Sequence, residues 1–370
     1  MSNTLFYIGV MSGSSLDGID VALTEITEHR CSVVATHFQA YAANTKESLL
    51  ALHFPSKNEL EQSALMANQL ASYYAEAINA LLEQNNLKPN QIRAIGCHGQ
   101  TIRHQPILNG SIGYTIQLGN NSLLAELTNT TVVGDFRSRD IAAGGQGAPL
   151  VPAFHQSAFA SKDKSRAIVN IGGIANISYL KTSGDVMGFD SGPGNMLLDH
   201  WVKLKLGKSY DEDGTWSSTG TVQADLLKTM LSDPYFSLPP PKSTGRDLFN
   251  EAWLSQHIAK SNISDADIAR TLLELTVTTV YQHLMQHCSE VNEVYVCGGG
   301  VHNQFLLACL KQRLGSTTMA LTDDLGVNAD WVEAAAFAWL AKQTITHRPG
   351  NLPAVTGANG LRILGAIHLA

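Results

Sequence analysis

A strand, a turn of small residues and a second strand occur twice in this chain, first at residues 6–24 and again at 166–180. In FYIGVMSGSSLDGIDVALT, Phe6, Ile8 and Val10 alternate with Tyr7, Gly9 and Met11, and Ile19, Val21 and Leu23 alternate with Asp20, Ala22 and Thr24. Both flanks therefore suit a β-hairpin. The residues between them, Ser12, Gly13, Ser14, Ser15, Leu16, Asp17 and Gly18, offer backbone N–H groups and hydroxyls with little bulk in the way, as a phosphate requires. Asp17 would repel a bare phosphate but suits one that carries Mg²⁺. Alone, the stretch is equally an ordinary hairpin with a Gly/Ser turn. The second copy, RAIVNIGGIANISYL, sets Gly172, Gly173 and Asn176 in the corresponding turn. Two such hairpins, one opening each half, point to two α/β domains of common plan whose turns can grip a polyphosphate from both sides.

A length of 370 residues predicts two domains or one very large one. The glycine-rich passage RSRDIAAGGQGAPLVP reads as the join, giving domains at 1–134 and 135–370, with the final helix at 331–343 able to pack back across it. Long amphipathic helices are expected over 57–84 and from Ser264 onward, where Asp267 has capping-box spacing. A net charge of −7 and the lack of any Lys/Arg run exclude a nucleic-acid footprint. The five cysteines show no metal or CxxC spacing and read as reduced thiols. No apolar run reaches membrane-spanning length, and the N-terminus lacks a basic region and a cleavage site, so a cytoplasmic protein with no membrane partner is expected.

A third turn, Cys297-Gly298-Gly299-Gly300-Val301-His302-Asn303, joins a strand to a helix and lets a flat ring or a phosphate approach the helix N-terminus closely. Close helix–strand packing alone can also demand three glycines. Taken in order, the three turns point to a nucleotide. A Walker-type GxxxxGK[ST] is absent, as is a GxGxxG between strand and helix. The chemistry is expected in GFDSGPGNMLLDHW, where Asp190 ends a strand and can act as a general base. The competing reading makes Asp190 or Ser191 the N-cap of the following helix.

The stretches VMSGSSLDGID, GCHGQTIRHQP, VVGDFRSRDIAAGGQGAPLVPAFH, NIGGIANIS, FDSGPGN, PPPKSTGRDLFN and CGGGVHN together resemble the anhydro-N-acetylmuramic acid kinase family, from residue 6 to the C-terminus. That family lies in the actin/sugar kinase/heat-shock-70 superfamily. The resemblance implies an α/β, two-domain, ribonuclease H-like fold with a central ATP cleft. It implies use of ATP and Mg²⁺ to open the anhydro bridge of 1,6-anhydro-N-acetylmuramic acid with water and to phosphorylate O6. The product would be N-acetylmuramic acid 6-phosphate, in cell-wall recycling. It further implies that Ser12, Gly13, Ser14, Ser15, Leu16, Asp17, Gly18 and Ile19 form the first phosphate loop, with Asp17 toward the metal. Gly172, Gly173 and Asn176 would form the second loop, Gly298, Gly299, Gly300 and Asn303 would contact adenosine, and Asp190 would activate the water. Ser14 stands where the family's first loop usually has Thr, which keeps the hydroxyl. A homodimer is expected.

Six further residues are candidates for the sugar. His98 and Gln100 follow a strand and carry groups suited to sugar hydroxyls. The lactyl carboxylate needs a cation, and Arg137, Arg139 and Arg246 all qualify for it or for a salt bridge. Glu333 has capping-box spacing to Asp330, and the resemblance implies instead that it faces the sugar. Two rival readings remain: an ATPase that switches a protein partner, and a hydrolase that ignores ATP.

Overall fold

The computed structural model describes residues 6–13, 16–27, 30–108, 110–258 and 263–370. Packing divides the chain into two units, Met1–Ala158 with Trp331–Ala370, and Phe159–Asp330.

In the first unit the opening hairpin forms as its alternation predicts, with β1 (Phe6–Ser12) antiparallel to β2 (Gly18–Ile26). β3 (Cys31–Ala40) continues antiparallel beyond β2, while β4 (Ile92–Leu108) and β6 (Val132–Gly134) run parallel to β1 on its other side. β5 (Ser111–Leu118) folds back on the far end of β4, and the chain's last strand, β12 (Ala366–His368), pairs antiparallel with β6. The two faces of this sheet are made differently because side chains alternate along a strand. Ile8 and Val10, with Ile19, Val21 and Leu23, join a core completed by Leu70, Tyr74, Ile78 and Leu81 of the Glu59–Gln84 helix. Gly9 and Gly96, paired in register across β1 and β4, lie against the backbone of the Val332–Ile345 helix.

The second unit repeats the plan. β7 (Arg166–Ile171) pairs antiparallel with β8 (Ile174–Leu180), which pairs antiparallel with β9 (Val186–Pro193). β10 (Glu293–Cys297) is parallel to β7, and β11 (Thr318–Leu321) is parallel to β10. The orders β3-β2-β1-β4-β6 and β9-β8-β7-β10-β11 are thus the same, strand for strand and direction for direction. This is the duplicated α/β plan that the two hairpins foreshadow. The Asp265–His287 helix starts where Ser264 Oγ accepts the Asp267 N–H at 3.2 Å. The return half of a capping box is missing, because the Asp267 carboxylate accepts the Thr221 N–H instead.

The break after Ala158 differs from the expected 134/135 position for a physical reason. Buried Asp140 accepts from Gly147 N–H, Asn351 Nδ2 and Thr356 Oγ1, each at 2.8 Å, so the glycine-rich passage folds into the first unit. The last long helix belongs to that unit as well. All five cysteines are free, and among the described residues no helix is long and apolar enough to cross a membrane.

Candidate active site

In the first unit the turn after β1 is braced from below. Ser12 is buried, and its hydroxyl donates to Gln100 Oε1 and lies 2.8 Å from the Tyr41 hydroxyl. Gln100 Nε2 donates to the Gly13 carbonyl at 3.2 Å. Gln100 is itself fully buried, so the structure uses its amide to shape the turn. Leu16 sits in the left-handed region at φ 57° with its side chain buried, a conformation a leucine adopts only where its surroundings enforce it. Ile19 is a core residue, and a Cβ on Gly18 would meet the Gln39 carbonyl at 2.5 Å. Asp17 is exposed, and its Oδ1 accepts the Gly18 N–H at 3.0 Å. Ser14 and Ser15 lie outside the described residues. Among the described residues no three His, Cys, Asp or Glu side chains converge into a metal cage. A magnesium ion takes one or two carboxylates beside nucleotide phosphates and keeps several waters, so an exposed Asp17 at the end of such a turn is a fitting donor.

The same unit brings three of the expected sugar-binding residues together. His98 is buried on β4, 4.6 Å from the Phe337 ring. Its Nε2 accepts from Arg137 Nη2 at 2.9 Å, which leaves the ring proton on Nδ1. Burial, reinforced by the Arg137 charge, pushes the His98 pKa down to about 3, so the ring is neutral at pH 7. Arg137 Nη1 donates to the Gly147 carbonyl at 2.7 Å, which fixes the guanidinium plane. Burial lowers its pKa to about 10, against the opposing charges of Glu333 and Asp140, so it stays a cation. Glu333 stands one turn before Phe337 on the same helix face. The Asp330–Glu333 capping box does not form: the helix has no side-chain cap, and Asp330 instead accepts from His302 Nε2 at 2.8 Å. Arg139 and Arg246 are both exposed.

In the second unit the Gly172-Gly173 turn is docked onto the start of the Met196–Leu206 helix. The Gly172 carbonyl accepts from Asn195 N–H at 2.8 Å, and the Gly173 carbonyl from Gly194 N–H at 2.9 Å. Packing does not demand glycine at either position, since a Cβ on Gly172 or Gly173 would meet its first neighbour at an ordinary contact distance of 3.6 or 3.7 Å. Gly194 has no such room, because its Cβ would stand 2.3 Å from the Gly172 carbonyl. Asn176 pairs in register with Asn170 on one side and Asp190 on the other, which sets the second loop beside the expected base.

Asp190 lies within β9, not at its end. The register between β8 and β9 slips at this point, so that Ser191 is the extra residue of a β-bulge and Gly192 adopts φ 146°. A bulge re-aims the side chains around it. Ser191 is no helix cap: its hydroxyl donates to the Ala175 carbonyl. The Asp190 carboxylate accepts the Thr244 N–H at 2.9 Å, its N–H donates to the Lys242 carbonyl, and its carbonyl accepts from the Tyr235 hydroxyl at 2.8 Å. Burial pushes the carboxyl up to about 7, against the Thr244 N–H and the Lys242 charge. A carboxylate that ionises near neutrality is suited to take a proton from water. Gly194, Tyr235, Lys242 and Thr244 are absent from the sequence expectations. Gly194 and Lys242 stand inside motifs already conspicuous there, FDSGPGN and PPPKSTGRD, but only folding sets the second beside the first.

The third turn follows β10. Gly298 takes φ 83°, and a Cβ there would lie 2.1 Å from Asn170 Oδ1. A Cβ on Gly300 would strike Ile171 at 2.5 Å, whereas Gly299 has nothing within 4 Å. Two of the three glycines are therefore packing requirements, and Gly299 leaves the backbone open to a ligand. Asn303 Oδ1 caps the Gln304–Leu314 helix by accepting the Leu306 N–H at 2.9 Å.

Residues 5–370 match the family model described as anhydro-N-acetylmuramic acid kinase. The protein of that name from Nitrosospira multiformis is 52% identical over 365 residues, covering 99% of both chains. That from Nitrosomonas europaea is 52% identical over 366 residues, covering 99% of this chain and all of the other, and that from Pseudomonas syringae pv. syringae is 49% identical. Among solved structures, the activator of 2-hydroxyisocaproyl-CoA dehydratase from Clostridium difficile with bound ADPNP aligns with a TM-score of 0.47 at 13% identity, over 93% of this chain and 98% of the other. The Acidaminococcus fermentans (R)-2-hydroxyglutaryl-CoA dehydratase component A aligns at 0.45 and 12% identity, over 91% and 99%. The full-length match to the family model and relatives sharing about half their residues agree: the chain belongs to the anhydro-N-acetylmuramic acid kinase family.

Proposed function

We infer that this chain is an ATP-dependent kinase that hydrolyses the 1,6-anhydro bond of 1,6-anhydro-N-acetylmuramic acid and phosphorylates O6, yielding N-acetylmuramic acid 6-phosphate and ADP for cell-wall recycling. The observation that carries the mechanism is the seating of Asp190: one strand from Asn176 of the second loop, hydrogen-bonded by Thr244, with its carboxyl raised to about 7. Asp190 takes a proton from water, the water oxygen bonds to C1, and the C1–O6 bond breaks. The freed O6 accepts the γ-phosphoryl group of ATP. Phosphoryl transfer asks the protein chiefly for positioning and charge. Gly13, Gly172, Gly173 and Asn176, together with Ser12, Ser14, Ser15, Leu16, Gly18 and Ile19, make up the two phosphate loops, and Gly298, Gly299, Gly300 and Asn303 form the adenosine contact. Ser12 and Gln100 act through the shape of the first loop. Mg²⁺, held through Asp17, would neutralise phosphate charge. On the sugar, Arg137 suits the lactyl carboxylate, since its guanidinium is already planar and fixed, and His98 and Glu333 suit hydroxyls. The working form we propose is a cytoplasmic homodimer.

The test is incubation with the anhydrosugar, ATP and Mg²⁺ in ¹⁸O-water. Label at C1 with phosphate on O6 is the expected result. Phosphorylation without label at C1 would remove the water-activating role of Asp190, and sugar opening without ADP release would leave a hydrolase.

A further inference from the structure

The segment that hydrogen-bonds Asp190 through the Lys242 carbonyl and the Thr244 N–H also carries a buried cation that the proposed reaction does not use. Lys242 is 8% exposed. Its ammonium donates to the carbonyls of Tyr235 and Phe236 at 3.1 and 3.4 Å and to His283 Nε2 at 2.7 Å, and it sits 4.6 Å from the centre of the Tyr235 ring. These partners satisfy all three of its protons, yet none carries a charge. His283 Nδ1 donates to the Thr279 carbonyl at 2.6 Å, so Nε2 is free to accept. Burial holds the His283 pKa down to about 4, and His287, the other titratable group on that helix facing Lys242, is also lowered. Among the described residues Lys242 forms no ion pair. A buried cation with only neutral contacts depends on the field of an opposite charge. Among the described residues the opposite charge coupled to it is Asp190 on β9. The segment that carries Lys242 also grips Asp190 at three points, through Tyr235 Oη, the Lys242 carbonyl and the Thr244 N–H. Cation and carboxylate thus share one scaffold.

We propose that Lys242 is a positioning residue for the reaction: its ammonium, fixed by Tyr235, Phe236 and His283, keeps Asp190 ionised and so available as a base at neutral pH. The inference rests on the reading of Asp190 as the base. Its direction follows from charge, since a cation coupled to a carboxyl favours the carboxylate over the carboxylic acid.

The experiment measures kcat/KM for the anhydrosugar across about pH 5 to 9, in the full-length enzyme and in Lys242→Gln, Lys242→Met and Lys242→Arg, with folding followed by circular dichroism. Gln keeps an amide donor for the carbonyls and removes the charge; Met fills the space with an apolar chain. In whichever of these two folds, the acid limb is expected to move up by about one pH unit, a roughly tenfold loss below the limb, while Lys242→Arg keeps the native limb. A limb that stays put while the whole profile drops would assign Lys242 a purely structural role and overturn the proposal. So would failure of both neutral variants to fold. Asp190→Asn separates the two layers: near-normal turnover there removes the base itself, whereas an inactive Asp190→Asn beside an unshifted Lys242→Gln limb removes only the role of Lys242.

Discussion

Gly9 and Gly96 let the Val332–Ile345 helix lie directly on the first sheet, and Gly9→Ala tests that seating. A Cβ at Gly9 would stand 1.7 Å from the Ala334 carbonyl oxygen and 2.8 Å from the Ala338 nitrogen, and one at Gly96 would stand 1.9 Å from the Phe337 oxygen. Both obstacles are backbone, so no rotamer change relieves them. To reach ordinary contact distance the helix must retreat by about 1.5 Å. It carries Val332, Ala335, Phe337, Ala338, Leu340 and Ala341 as buried residues, and all of them lose contact together. Overpacking typically costs 1–3 kcal/mol, and this case belongs at about 3 kcal/mol because a whole helix shifts. For a unit of this size that corresponds to a fall in Tm of about 6–12 °C. The consequence for function follows from what the helix bears. Glu333 adjoins the struck residue, and Phe337 supports the His98 ring at 4.6 Å. A displacement of about 1 Å in such positioning groups can cost roughly 100-fold in rate. Scanning calorimetry and steady-state kinetics on Gly9→Ala read both effects. A Tm within about 2 °C of the native value, with unchanged kcat/KM, would show that the helix does not rest on these glycines and that Glu333 is not placed by them.

Three further outcomes are expected. Asp190→Asn retains an acceptor for the Thr244 N–H, so nucleotide affinity by calorimetry should stay near native while turnover falls about a thousandfold. The native enzyme should show an acid limb in kcat/KM with its midpoint near 7, because the carboxyl raised to about 7 must be ionised to act. The same shift has a stability counterpart. A carboxyl raised in the folded state stabilises most below its unfolded value, and that contribution is lost as pH rises through about 7. Denaturant midpoints should therefore show Asp190→Asn gaining on the native protein between about pH 5 and pH 8. Arg137→Lys cannot keep both the Gly147 carbonyl and His98 Nε2 in one plane, and each charge-assisted bond is worth about 1.5–3 kcal/mol. A roughly tenfold to hundredfold loss of kcat/KM, carried mainly by KM for the sugar, is the result to look for.

The division between what the sequence disclosed and what it concealed follows the range of the forces involved. Alternation along β1, β2, β7 and β8 is a local, two-residue signal, and glycine at a turn answers a local demand of the backbone, so both hairpins and the common plan of the two halves were legible, whereas the order of the strands in each sheet was not. Spacing misled wherever a side chain found a better partner far along the chain. Asp330 has capping distance to Glu333 yet bonds His302, 28 residues away, and Asp267 gives its carboxylate to Thr221, 46 residues away. Gln100 was read as a sugar ligand from its place after a strand; the hydrogen-bond partners folding gives it, Ser12 and Gly13, are 88 and 87 residues upstream. Asp190 combines both situations. Its candidacy as a base was visible, although it lies inside β9 and not between a strand and a turn. What makes it chemically usable is the Tyr235–Thr244 segment, which reaches it with Thr244 from 54 residues downstream. A motif can show where the reactive atom sits, but its proton affinity belongs to the surroundings that folding brings, and here those are burial first, then the Thr244 amide and one buried ammonium.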